Sequence, residues 1–150
     1  MKRFVFSLAS VFEYKQTEKK LQKADLSNAQ AALRALRDEE RRLEQAYINN
    51  SKTLEEALRS NTGVADALVQ HDAYFRYLRD AREVLAAKII KAEEHVEQCQ
   101  SLLITTMREL KTYENLRDEQ YLEYLKEVQA EEEKNMGDLV SFNIISENNN

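Results

Sequence analysis

Arg59-Ser60-Asn61-Thr62-Gly63-Val64-Ala65 interrupts a chain of 150 residues that is patterned for helix on both sides of it. Gly63 is the only glycine before Gly137, and the chain has no proline. Working backwards from this break, Leu54, Tyr47, Glu40, Leu33 and Leu26 recur every seven residues. Ala57, Asn50, Leu43, Leu36 and Ala29 interleave with them at three- and four-residue steps, which is a heptad seam with Glu40 and Asn50 as polar interruptions. Forwards from the break, Leu68, Phe75, Arg82, Ile89, Val96, Leu103 and Leu110 interleave with His71, Leu78, Leu85, Ala92, Cys99, Thr106 and Tyr113. The pattern predicts helix over about 4–60, a turn at about 60–65 and helix over about 66–135. A frayed tail at 136–150 completes one coiled-coil domain, all-α, folded as an antiparallel hairpin.

A glycine inside a helix costs only about 1 kcal/mol, so the break residues alone leave one continuous helix as an alternative. Charge favours the fold-back. Residues 1–20 carry five basic and two acidic side chains, a balance of +3, whereas residues 114–133 carry two basic and eight acidic, a balance of −6. Folding at Gly63 brings these segments together. Gly63 is also the best candidate for a left-handed helix terminus, because glycine adopts positive φ without a steric penalty.

Both seams drift far from the break. Upstream of Leu26 the register meets Lys15, Lys19 and Gln22 while the apolar residues shift to Val11, Tyr14 and Leu21, so a change of phase is expected there. Downstream of Tyr113 it meets Arg117 and Gln120, with Leu116, Tyr121, Leu125 and Val128 off register.

Composition narrows the function classes. A third of the residues are charged and there is no Trp, as in long helices rather than thick cores. Two glycines 74 positions apart cannot build a phosphate-cradling or dinucleotide-binding turn. A net charge of −5 argues against a general nucleic-acid binder. A single cysteine, Cys99, makes the cytosol the default compartment. The start resembles a signal peptide in having Met1-Lys2-Arg3 before an apolar run to Phe12. No small-x-small site follows and the helical pattern continues, so first helical turns are expected. His95 and Cys99 share a helix face, but nothing completes a tetrahedral metal set. The acidic runs Asp38-Glu39-Glu40 and Glu131-Glu132-Glu133 read as solvated faces, since catalytic carboxylates need a cleft that shifts their pKa. No enzyme, cofactor or small-molecule substrate is expected.

What remains is surface. Tyr47, Tyr74, Phe75 and Tyr77 cluster near the break beside Leu78, and Phe4, Phe6, Leu8, Val11, Phe12 and Tyr14 crowd the start. Each group can thicken the hairpin locally or anchor a partner. A dimeric structural coiled coil and a membrane-surface protein anchored by residues 1–14 are the other classes these residues allow.

Met1-x-x-Phe4-x-Phe6-x-Leu8-x-x-Val11-Phe12-x-Tyr14-Lys15, Tyr74-x-x-Tyr77-Leu78 and the closing Met136-Gly137-Asp138-Leu139-Val140 together resemble the flagellar export protein FliJ family. The resemblance implies a coiled coil similar to the central stalk of rotary ATPases, in a cytoplasmic protein peripherally associated with the cell membrane. It implies three partners: the hexameric flagellar export ATPase FliI, the membrane export gate FlhA, and substrate chaperones. Such a protein links and stimulates the ATPase and couples hydrolysis to proton-driven secretion without hydrolysing anything itself. ATPase docking would fall on Phe4, Phe6, Leu8, Val11, Phe12 and Tyr14, and gate docking on Tyr47, Tyr74, Tyr77, Leu78 and Ala81. The family often ends in basic residues, whereas nothing after Lys134 is basic here.

Overall fold

In the computed structural model, which describes residues 2–149, two helices pack antiparallel: α1 (Ala9–Ser60) and α2 (Val64–Asn148). The turn is three residues, Asn61-Thr62-Gly63. Two of them are left-handed, Asn61 at φ 59° and Gly63 at φ 66°. Asn61, directly after the last residue of α1, terminates that helix; asparagine is one of the few side chains that tolerate this conformation. The Gly63 carbonyl accepts from the Ala67 N–H at 3.0 Å and opens α2. The left-handed terminus expected at Gly63 is therefore shared with its neighbour two residues earlier.

Packing falls into two units. One is Leu21–Leu103; the other joins Met1–Lys20 to Ile104–Asn150. In Leu21–Leu103 the seam buries Ala29, Leu78, Leu85, Ile89 and Cys99, with Leu36, Leu43, Leu54 and Ala57 half-buried. Asn50 is buried and satisfied: its Nδ2 donates to the His71 carbonyl at 3.3 Å, and its Oδ1 is hydrogen-bonded to His71 Nδ1. Because Oδ1 only accepts, this assigns the proton to Nδ1. Register differs from the heptad reading at Glu40, which is exposed, and at three places where Ala46, Ala67 and Ala81 are half-buried in place of Tyr47, Leu68 and Arg82, which are exposed. A small side chain lets the helices approach, while a guanidinium reaches water more readily at the flank.

In the other unit the chain before Ala9 is not helical. Residues Phe4 to Leu8 alternate, with Phe4 and Leu8 half-buried, Phe6 buried, and Val5 and Ser7 exposed. Residues 2–6 are irregular, and Ser7-Leu8 form a turn in which the Ala9 N–H donates to the Phe6 carbonyl at 3.2 Å. The helix expected from residue 4 begins only at Ala9, and the non-helical strap before it lays Phe4, Phe6 and Leu8 onto one apolar cluster. Phe6, Phe12 and Leu110 form the core, with Phe4, Leu8, Tyr113 and Leu116 packed against it. Thr106 is also buried. The Ser7 amide and hydroxyl both donate to Gln120 Oε1, at 3.3 and 3.2 Å, and Gln120 Nε2 lies 3.0 Å from Ser7 Oγ.

The expected change of phase upstream of Leu26 does not occur. Lys15, Lys19 and Gln22 are half-buried on the original register, and Tyr14 and Leu21 are 67% and 63% exposed. Lys15 is acceptable in the seam because its ammonium lies 2.6 Å from Glu109 and 3.1 Å from Glu18, while its stem covers apolar surface. The hydrogen bond to Glu109, then that to Glu18, holds the Lys15 pKa above the ordinary lysine value. Downstream, Leu116, Gln120 and Val128 are half-buried, and Arg117 sits over the Phe12 ring at 5.2 Å.

The expected frayed tail is helical through Asn148. Gly137 has ordinary φ and open space around it, and the small penalty of one glycine does not stop so long a helix.

The two glycines should respond oppositely to alanine. Gly63→Ala forces a Cβ into left-handed backbone and is expected to lower unfolding free energy by about 1 kcal/mol. Gly137→Ala is expected to stabilise the terminal helix by about 1 kcal/mol. Denaturant unfolding reads the first and amide exchange near residue 137 the second. Lys15→Met should lower Tm more at pH 7 than at pH 4, because the two facing carboxylates repel only when ionised. In the native chain the raised lysine pKa keeps this pairing intact up to the ordinary lysine range; it is lost only as pH rises beyond that. Tm against pH for both chains checks this, and an equal loss at both pH values would contradict it.

Candidate docking surfaces

The two groups of aromatic candidates meet different fates. Of the start group, Phe6 and Phe12 are core and Phe4 and Leu8 pack onto it. Phe4 sits against Tyr121 at 5.2 Å, edge-on, and Tyr124 at 5.6 Å. Their accessible surface is largely spent inside the unit. Val11 and Tyr14 are the exposed members. Together with Leu21 they lie at i, i+3 and i+10, close to one outward stripe of α1.

Of the group near the turn, Leu78 is 1% exposed and cannot meet a partner directly. Ala81 is half-buried beside it. Tyr74 and Tyr77 are exposed and stack on each other, with centroids 6.2 Å apart and planes 16° apart. Tyr77 and Ala81 line a groove with Leu43, Val84 and Lys88. Tyr47 packs on Phe75 at 4.9 Å and lines a second groove with Arg76, Arg79 and Arg82. The grooves share no residue, yet both are walled by α1 and α2 at the same level, so they are the two flanks of the pair. Tyr47 and Tyr77 thus belong to different faces, with Leu78 in the seam between them.

Sequence reasoning passed over some of these surroundings. Leu43 was read only as seam and Val84 not at all, although both border the Tyr77 groove. Tyr124 escaped notice, although it and Tyr121 receive Phe4. A third groove is lined by Lys2, Arg3 and Phe4 on one side and Glu123, Tyr124, Glu127 and Glu131 on the other. The opposite charges of residues 1–20 and 114–133 were the available signal for it.

For catalysis or metal binding the geometry offers little. Cys99 is buried, with Sγ 3.9 Å from His95 Nε2. Among the described residues, no three His, Cys, Asp or Glu side chains converge as a metal site would need. Among the same residues, no helix is long and apolar enough to cross a membrane.

Burial sorts the candidates by what their removal should do. Leu78→Ala is expected to destabilise by about 2–5 kcal/mol through the cavity it leaves. Tyr77→Ala should change stability by no more than about 0.5 kcal/mol. Chemical denaturation of the two variants checks the division, and a stable Leu78→Ala chain would contradict the seam assignment.

Comparison with known proteins bears on what these surfaces serve. A search of curated proteins and a search of solved structures each gave no match. The family model described as "Flagellar FliJ protein" matches residues 4–149. That span takes in the strap, both helices and the turn, and the chain therefore belongs to the FliJ family, a component of the flagellar export apparatus.

Proposed function

We propose that this chain is the coiled-coil linker of the flagellar export machinery. In this reading it binds and stimulates the hexameric export ATPase FliI, contacts the export gate FlhA, and engages substrate chaperones. It works at the cytoplasmic face of the membrane as a peripheral protein and performs no chemistry of its own. The family match across residues 4–149 carries the reading. Exposed aromatic anchors in each packing unit support it, since tyrosines held on a rigid helix lose little entropy on docking.

In this reading the exposed members of each group carry the contacts. Val11 and Tyr14 take over the ATPase role expected of the whole start group, because Phe4, Phe6, Leu8 and Phe12 hold the unit together. Tyr74, Tyr77 and the groove beside Ala81 take the gate role, with Leu78 setting their backbone from beneath.

The test is ATPase turnover titrated with the purified chain, alongside binding to the cytoplasmic part of the gate protein. Saturable stimulation of turnover is expected. Val11→Asp with Tyr14→Asp should shift half-saturation upward by about tenfold, equivalent to about 1.4 kcal/mol. Tyr74→Ala with Tyr77→Ala should weaken gate binding and leave stimulation unchanged. Absence of both stimulation and binding by the native chain would overturn the reading.

A further inference from the structure

The seam of α1 loses its apolar side chains along one stretch. Phe12 is buried and Leu26 half-buried, yet every side chain between them that is not exposed is polar: Lys15, Glu18, Lys19 and Gln22. That stretch spans about 21 Å of helix, at about 1.5 Å per residue. From Leu26 to Ala57, by contrast, polar residues break the seam only singly, at Glu40 and Asn50. Polar seam residues fix register when each has its partner, and this group is only partly partnered. Lys15 reaches Glu18 and Glu109. Among the described residues, however, Gln22 Oε1 is buried without a hydrogen-bond partner. A buried acceptor left unpaired makes the closed state less favourable, since water satisfies it on opening. The division of the chain into packing units falls at the same level, between Lys20 and Leu21 on α1 and between Leu103 and Ile104 on α2.

We infer that residues 15–22 form a joint built into the seam, where the helices part locally while the apolar stretches on either side stay closed. The buried apolar contacts that oppose opening are missing here, and the free energy of local opening follows such contacts. α2 supplies a reporter for it. Lys15 pairs with Glu109 and Asn50 with His71, a register that brings Gln22 near Cys99, which is buried. Val11 and Tyr14 belong to the unit on one side of the joint, and Tyr74 and Tyr77 to the other. Opening at the joint therefore leaves each proposed docking surface within a closed stretch.

Native-state amide exchange on the full chain tests this. Amides of residues 16–24 are expected to exchange about tenfold or more faster than those of 29–36, with a shallower dependence on urea, because a local opening exposes less surface. On α2, protection should dip between Cys99 and Glu109 and recover at Leu110, which packs with Phe6 and Phe12. Lys19→Leu with Gln22→Leu should slow exchange at 16–24 by about tenfold, and slow the labelling of Cys99 by a thiol reagent with it. Circular dichroism and sedimentation check that this variant stays a folded monomer; if it does not, the native exchange profile decides alone. Protection that falls steadily from Leu85 to the end of α2, with no recovery at Leu110, is end fraying and would overturn the joint. Equal exchange at 16–24 and 29–36 would overturn it too, as would fast exchange that the folded leucine variant leaves unchanged.

Discussion

Two helices can bury only one stripe of each other, and most of what is distinctive about this chain follows from that limit. Several polar residues on the stripe find a partner on the opposing helix or close by, whereas Gln22 Oε1 is buried without a hydrogen-bond partner among the described residues. Asn50 finds His71, Lys15 finds Glu109 and Glu18, and Gln120 finds Ser7. Polar groups satisfied in a seam contribute little to stability compared with an apolar pair, but they pair badly out of register. They are therefore better understood as fixing which residue faces which. The exposed ion pairs, such as Arg37 with Glu93 at 2.9 Å, contribute less still.

The same limit decides where function can lie. A surface of paired helices offers its flanks, its outward faces and whatever the partner helix leaves uncovered. Burial separates neighbouring residues: Leu78 and Phe12 are buried, whereas Tyr77 and Tyr14 are exposed. Residues adjacent in sequence thus do different work, and Tyr77-Leu78 is the clearest pair.

Much of the fold was legible because heptad spacing and a lone glycine are strong signals. The antiparallel pairing followed from the charges of the two far segments, and Asn50 was recognisable as a polar position on the seam. Three things were hidden. The alternation Phe4, Phe6, Leu8 is only three apolar residues long and runs into a turn at Ser7-Leu8, easily mistaken for the start of the helix that follows. Lys15 looked like a loss of register because its acceptability depends on Glu109, ninety-four residues away. The tail reads as frayed because its apolar residues show no stripe, yet the helix continues through Asn148. The candidate sites were legible as clusters of residue types, but which members were exposed depended on a few tens of degrees of helix rotation.

The central claim is that the two helices of one chain pair with each other. It is tested most directly by cross-linking within the paired termini. With Cys99 replaced by serine, cysteines at positions 7 and 120 should be joined by a short bismaleimide within a single chain. The product should keep monomeric mass at every protein concentration, because Ser7 and Gln120 are hydrogen-bonded partners in one molecule. Covalent dimers whose yield rises with concentration, without the intrachain product, would contradict the hairpin.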